Sequence, residues 1–197
     1  MTQYVRNILK VFRKASNDEI EHGKQWYQIA NNDAQAIASD NDVSLSQCVG
    51  VIAALSPNNK WGRNLINASD MISAYNSGNN LDSFKVSTYG ANKRKAWSIL
   101  GDNLLECDAI LERLNGRKVQ AFYSNIMGYD VCTIDGHALN IALGKRQSLT
   151  SDANRVGARL YRELVCAYTR AAHKEGLKAF EMQAITWTAW RRIHGIA

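Results

Sequence analysis

Proline is nearly absent from this sequence, and its cysteines form no recognisable motif. The chain has one proline and 13 glycines in 197 residues, and so few helix breakers favour helices joined by short connections. The four cysteines form no C-x-x-C pair, so their spacing predicts neither a zinc cluster nor an iron–sulfur loop. Free, mostly packed thiols are the simpler interpretation, and they are typical of a cytoplasmic protein.

Long apolar runs are also missing. No segment approaches the ~20 apolar residues that span a bilayer, and charges interrupt the apolar residues at the amino terminus. With 46% hydrophobic and 21% charged residues, the composition is typical of a soluble globular protein rather than a disordered one. We therefore expect a cytoplasmic protein without a membrane partner.

Positive charge is in excess. The formal net charge is +6 and the sequence pI is about 9.2. A basic balance of this size favours a polyanionic partner, of which nucleic acid is the commonest.

Local signals predict an all-α fold of about nine or ten helices. Ser16-Asn17-Asp18-Glu19 and Ser44-Leu45-Ser46-Gln47 are capping boxes, and Pro57 is expected to end the helix that the second box begins. No repeat or low-complexity linker divides the chain, and the only β-branched run is too short for a sheet. Further helices are predicted from Trp61, over Tyr89 to Leu100, over Cys107 to Leu114, after Gly116, after a cap at Ser151 or Asp152, and over Lys178 to Ile193.

The most informative stretch runs from Gly116 to His137. Lys118 stands at a predicted helix start, and a short apolar run ends on Asp135, two positions before His137. Taken alone, such a lysine is ordinarily solvated, and such an aspartate is ordinarily a helix N-cap. In this order, however, the residues resemble the helix-hairpin-helix DNA glycosylase superfamily, which contains endonuclease III and the 8-oxoguanine glycosylases, and the chain looks like a divergent, viral member.

The resemblance implies a catalytic pair. It implies that Lys118 is the nucleophile, that Asp135 accepts a proton and stabilises positive charge, and that His137 either supports Asp135 or is a packed imidazole. An amine that attacks C1′ can also leave an imine, which permits strand cleavage. A free lysine has a pKa of about 10.4, so this role requires burial or nearby positive charge, such as Arg117, to favour the neutral amine.

A second segment supports the resemblance. Ala53-Ala54-Leu55-Ser56-Pro57-Asn58-Asn59 resembles the family segment whose polar residues enter the DNA at the flipped nucleotide. This implies DNA contacts for Asn58 and Asn59, which by themselves are equally typical of cap and turn residues after Pro57. The resemblance extends from about Ser44 to Leu143.

The hairpin departs from the family pattern. The family has Leu-Pro-Gly-Val-Gly-x-Lys, whereas this chain has the shorter Leu114-Asn115-Gly116-Arg117-Lys118. In the family the hairpin amides contact a DNA phosphate; the resemblance implies this contact for Gly116, and Arg117 is expected to add a side-chain charge. A basic run nearby is either a solvated face or a further set of phosphate contacts: Lys93, Arg94 and Lys95.

Three functions remain open at this point. The first is a DNA glycosylase with abasic-site lyase activity, and the second is a viral enzyme that transfers an amino acid or polyamine to a hydroxymethylpyrimidine in DNA. The third is a DNA-binding or inhibitor module without turnover. In each case we expect one glycosylase-like domain over residues 1–197, with two lobes and a cleft. We also expect a monomer in the cytoplasm, or in the host cytoplasm if viral, with no cofactor and no metal.

Overall fold

The computed structural model of the chain describes residues 1–86, 88–148 and 156–196. Over these residues the secondary structure is helical, with ten α-helices, one short 3₁₀ turn and no strand. The prediction of an all-α fold is therefore confirmed. The α-helices are α1 Gln3–Phe12, α2 Asn17–Asp40, α3 Leu45–Leu55, α4 Trp61–Asn76, α5 Gly90–Gly101, α6 Cys107–Leu114, α7 Arg117–Ile126, α8 Gly136–Leu143, α9 Ala158–Lys174 and α10 Ala179–Ile193.

Capping signals set the starts of two long helices. The Ser16 hydroxyl accepts from the Glu19 N–H at 3.2 Å, and the Glu19 carboxylate accepts from the Ser16 N–H at 2.8 Å. Ser44 and Gln47 form the same reciprocal pair at the start of α3, so both predicted capping boxes are confirmed. Ser151 and Asp152 lie outside the described residues, but the helix that one of them was expected to cap, α9, begins at Ala158 with Gly157 as its N-cap, so that prediction is wrong.

The chain divides into two compact units. The terminal unit comprises Met1–Tyr27 and Tyr129–Ala197, and the central unit comprises Gln28–Gly128. None of the helices described above combines the length and hydropathy of a membrane-spanning segment.

The central unit is built around α3. Every residue of this helix from Gln47 to Leu55 is buried, and α3 contacts α4, α5, α6 and α7. Gly50 makes the close packing possible, because a Cβ at this position would lie 2.9 Å from Ile110 Cγ2 and 3.2 Å from Ile99 Cδ1. α3 is thus the apolar helix on which the other helices of this unit assemble.

The terminal unit packs α1, α8, α9 and α10 around a second core. Tyr168 of α9 is fully buried, and its hydroxyl donates to the Ala138 carbonyl of α8 at 3.1 Å. Asp130 accepts from the Ala179 N–H at 2.9 Å and so holds the first turn of α10. At the other end of α10, Arg192 pairs with Glu19 at 2.7 Å, an ion pair that lowers the pKa of Glu19. α10 is therefore held at both ends.

Candidate functional site

The predicted hairpin lies in the central unit, between α6 and α7. α6 ends at Leu114, Asn115 adopts a left-handed conformation with φ 43°, and Gly116 is the N-cap of α7. Lys95 of α5 donates from Nζ to the Leu114 carbonyl, so it caps α6. This leaves Lys95 with a structural role in addition to the DNA contact that the sequence suggested.

Lys118 occupies the second position of α7. Lys118 is exposed, and water therefore reaches its side chain. The N-cap residue of α7 is Gly116, which has no side chain that could cap the helix. The helix N-terminus and the adjacent Arg117 are the positive features close to it along the chain.

Asn58 and Asn59 form the turn between α3 and α4. Asn58 has φ 57° and donates to the Tyr89 hydroxyl at 2.6 Å. Asn59 donates to the Leu55 carbonyl at 3.4 Å. Both amides therefore stabilise the turn after Pro57, and Asn58 is also exposed.

Three helices of the central unit begin with positive rather than negative side chains. α4, α5 and α7 have no side-chain hydrogen bond at the N-cap and no acidic residue in the first turn. Their free backbone N–H groups and helix dipoles favour an anion, and phosphate is the usual one. The basic residues at or near these three starts are Lys60, Arg63, Lys93, Arg94, Arg117 and Lys118.

Asp135 lies in the terminal unit as the N-cap of α8. One carboxylate oxygen accepts from the Ala138 N–H at 2.7 Å, and the other accepts from Trp187 Nε1 at 3.2 Å. A backbone amide and an indole therefore fix the orientation of the carboxylate. Because a carboxylate has roughly four acceptor positions, these two bonds leave Asp135 able to accept a further proton or hydrogen bond.

His137 shares the first turn of α8 with Asp135. Its ring meets Trp187 edge-on, with centroids 6.0 Å apart. Its buried Nδ1 has no hydrogen-bond partner in the described part of the chain. Burial lowers the pKa of His137 below the ordinary 6.5, the Asp135 carboxylate raises it, and the guanidinium groups of Arg191 and Arg146 lower it further. The net direction is downward, which favours a neutral imidazole beside a carboxylate.

Comparison with known proteins places the chain in a family. The family described as "Family of unknown function (DUF7178)" matches residues 1–194. The chain belongs to DUF7178. No curated protein and no solved structure matches it. The DUF7178 match extends over both compact units.

In this DUF7178 chain, Trp187 is the site residue whose role the sequence did not predict. The sequence predicted only that Trp187 lies in the helix over Lys178 to Ile193. In the structure its indole binds Asp135, and Arg191 lies over its ring at 4.4 Å from the centroid. The two residues joined by this hydrogen bond are 52 positions apart, so no local pattern marks the pair.

The four cysteines are dispersed over both compact units. Cys48 and Cys132 are buried and Cys166 is exposed, and all four cysteines are free. Within the described ranges, no three His, Cys, Asp or Glu side chains are grouped as metal ligands.

Proposed function

We propose that this chain is a DNA glycosylase of the helix-hairpin-helix type with abasic-site lyase activity. The observation that carries the proposal is the Asp135 carboxylate, which the Ala138 amide and the Trp187 indole hold in one orientation beside His137. A carboxylate fixed in this way meets the requirement for a general base, since its geometry is set before the substrate binds.

In the proposed reaction, Lys118 and Asp135 each carry out one step. The Lys118 amine attacks C1′ of the nucleotide, the N-glycosidic bond breaks, and the base leaves with the bonding electrons and takes up a proton. Asp135 accepts the proton that the attacking nitrogen loses, and ring opening then gives an imine between Lys118 and C1′. The proposal requires Lys118 and Asp135 to reach the same nucleotide.

The central unit supports DNA as the substrate. The basic, uncapped starts of α4, α5 and α7 suit phosphates. Gly116 adds a backbone N–H at the hairpin, and the exposed Asn58 adds a polar side chain at a turn. Contacts of this kind position a nucleic acid without reading its sequence, which a base-excising enzyme needs before it extrudes a nucleotide.

Borohydride trapping tests the imine directly. Wild-type protein is incubated with DNA that contains uracil, an oxidised base or an abasic site, and borohydride then reduces any imine to a stable covalent bond. We expect a protein–DNA adduct with wild type and with Lys85→Ala, a control for another exposed lysine of the same unit. Lys118→Ala should form none, and Asp135→Asn should form it ~100-fold more slowly. Equal trapping by wild type and Lys118→Ala, or none by either, refutes the mechanism.

A second candidate is favoured by the exposure of Lys118. An exposed lysine at a helix N-terminus is well placed to hold an anion. In a base-modifying transferase, Lys118 holds the pyrophosphate leaving group of an activated hydroxymethylpyrimidine. Asp135 then deprotonates the incoming amine, which forms a C–N bond as the C–O bond to pyrophosphate breaks.

Nucleoside mass spectrometry separates the two candidates. DNA carrying the pyrophosphorylated base is incubated with protein and an amine, and the nucleosides are then analysed. Loss of a base supports the glycosylase, whereas a mass gain equal to the amine supports the transferase. No change in mass, with DNA binding unaffected by Lys118→Ala and Asp135→Asn, favours the binding module without turnover.

A further inference from the structure

The outer face of α9 forms a basic groove with the start of α1. Arg159, Arg162 and Arg170 are exposed along α9, and Tyr4 of α1 stands beside them, partly exposed. Two adjoining depressions, of about 350 and 720 Å³, share Thr2 and Arg170. The groove lies within the terminal unit and continues past Arg170 to two more exposed basic side chains, His173 and Lys174.

Positive charge in this groove is largely uncompensated. Glu163, the acidic residue that lines it, pairs with Arg159 at 3.0 Å. Arg162, Arg170 and Lys174 form no ion pair with a carboxylate anywhere in the described ranges. Like charges one turn apart on a helix, such as Arg170 and Lys174, repel each other. A groove that keeps them together is suited to an anionic partner.

The line of charges suits an extended polyanion. From Arg162 to Lys174 the helix rises ~18 Å at ~1.5 Å per residue. Each strand of a DNA duplex carries a phosphate about every 3.4 Å of helix axis, and an extended single strand spaces its phosphates more widely, so a few phosphates span this length. A depression suits a strand better than it suits a planar membrane surface. Tyr4 adds an aromatic ring, and a basic groove with an aromatic side chain is typical of proteins that bind single strands.

We propose that the α1–α9 groove binds single-stranded nucleic acid through its phosphates. The groove shares no residue with the hairpin or with the Asp135 cluster, so this binding does not depend on the glycosylase proposal. In a DNA-acting enzyme, the groove would bind a part of the strand that does not contain the reacting nucleotide.

Salt-dependent binding tests the groove. The affinity of full-length protein for a fluorescein-labelled single-stranded oligodeoxynucleotide is measured by anisotropy over a series of salt concentrations. In Arg162→Gln/Arg170→Gln/Lys174→Gln we expect the slope of log K against log salt to fall by ~2, because each phosphate contact on a single strand contributes ~0.7. Affinity at ~0.1 M salt should fall ~10- to 100-fold.

A matched variant controls for total charge. Lys10→Gln/Arg13→Gln/Lys14→Gln removes three exposed charges from the far end of α1, outside the groove. This variant should keep the wild-type slope to within ~0.5. An equal loss in both triple variants, or no loss in the groove variant despite a wild-type circular dichroism spectrum, overturns the proposal.

Competitors and a catalytic variant identify the ligand. Single strands should compete at least ~10-fold better than duplex of the same length. Equal or better competition by duplex, polyglutamate or phosphatidylserine vesicles would contradict the assignment to single strands. In a Lys118→Ala background, the three groove substitutions should still lower the slope by ~2. If no DNA is cleaved or trapped but the slope still depends on the groove, the glycosylase proposal alone is wrong.

Discussion

Replacing Gly23 with alanine should loosen α10 from α2. Gly23 lies in the middle of α2, in the terminal unit, and an added Cβ would stand 2.4 Å from Ile185 Cγ1. A rotation of the Ile185 side chain relieves that contact alone. The same Cβ would also lie 2.8 Å from Ile185 Cα and 2.8 Å from Ile185 N. These are backbone atoms, so relief requires one helix to move away from the other.

Two opposing effects set the size of the change. Alanine is favoured over glycine in a helix by ~1 kcal/mol, whereas overpacking of a closed core costs typically ~1–3 kcal/mol. Because the contacts with backbone atoms are not relieved by a rotamer change, we take the upper value. The net loss in free energy of unfolding is then ~2 kcal/mol, which lowers the Tm of a protein of this size by ~4–8 °C.

Gly62→Ala is the matched control for this prediction. Gly62 also lies in a helix, α4, and an added Cβ would meet no atom within 4 Å. This variant should be unchanged or stabilised by up to ~1 kcal/mol. Urea unfolding followed by circular dichroism, together with thermal melts, measures both variants. If Gly23→Ala is as stable as Gly62→Ala, α10 does not pack against α2 as closely as described.

Two further predictions concern the Asp135 cluster. Trp187→Phe keeps an aromatic ring but removes the indole N–H that donates to the Asp135 carboxylate. In the glycosylase reaction proposed above, we expect kcat for base release to fall ~10-fold with KM unchanged, and the pH profile of kcat to shift. An unchanged pH profile would show that Trp187 does not position Asp135. Since the pKa of His137 is lowered from 6.5, the unfolded chain binds its proton first as pH falls below 6.5, and stability drops until the folded imidazole is also protonated. Urea titrations over pH should therefore show a flatter profile for His137→Asn than for wild type, and identical profiles would contradict the lowered pKa.

Much of the secondary structure could be predicted because its causes are local. Serine and a glutamate or glutamine three residues later form a capping box wherever the chain turns into a helix, and this holds for α2 and α3. Pro57 lies between the end of α3 at Leu55 and the start of α4 at Trp61. The helix predicted over Cys107 to Leu114 has those same bounds.

The candidate site was predicted only in part. The interpretation of Asp135 as a helix N-cap is confirmed, since its carboxylate accepts from the Ala138 amide; its catalytic role stays a prediction. The first helix, Gln3–Phe12, was not predicted, although it forms one wall of the basic groove. The arginines of α9 that line the groove were not predicted to bind a ligand, because arginines spaced along a helix ordinarily indicate a solvated face.

The sequence by itself determined the ends of several helices, such as the capped starts of α2 and α3 and both ends of α6, because caps, proline and apolar periodicity act over a few residues. Only the tertiary structure decided that Trp187 orients Asp135 and that Gly23 admits Ile185. It also decided that the start of α1 lines a groove together with Arg162 and Arg170 of α9. Such pairings follow from packing between segments far apart in the chain, where shape and burial select one arrangement among many that the same helices allow.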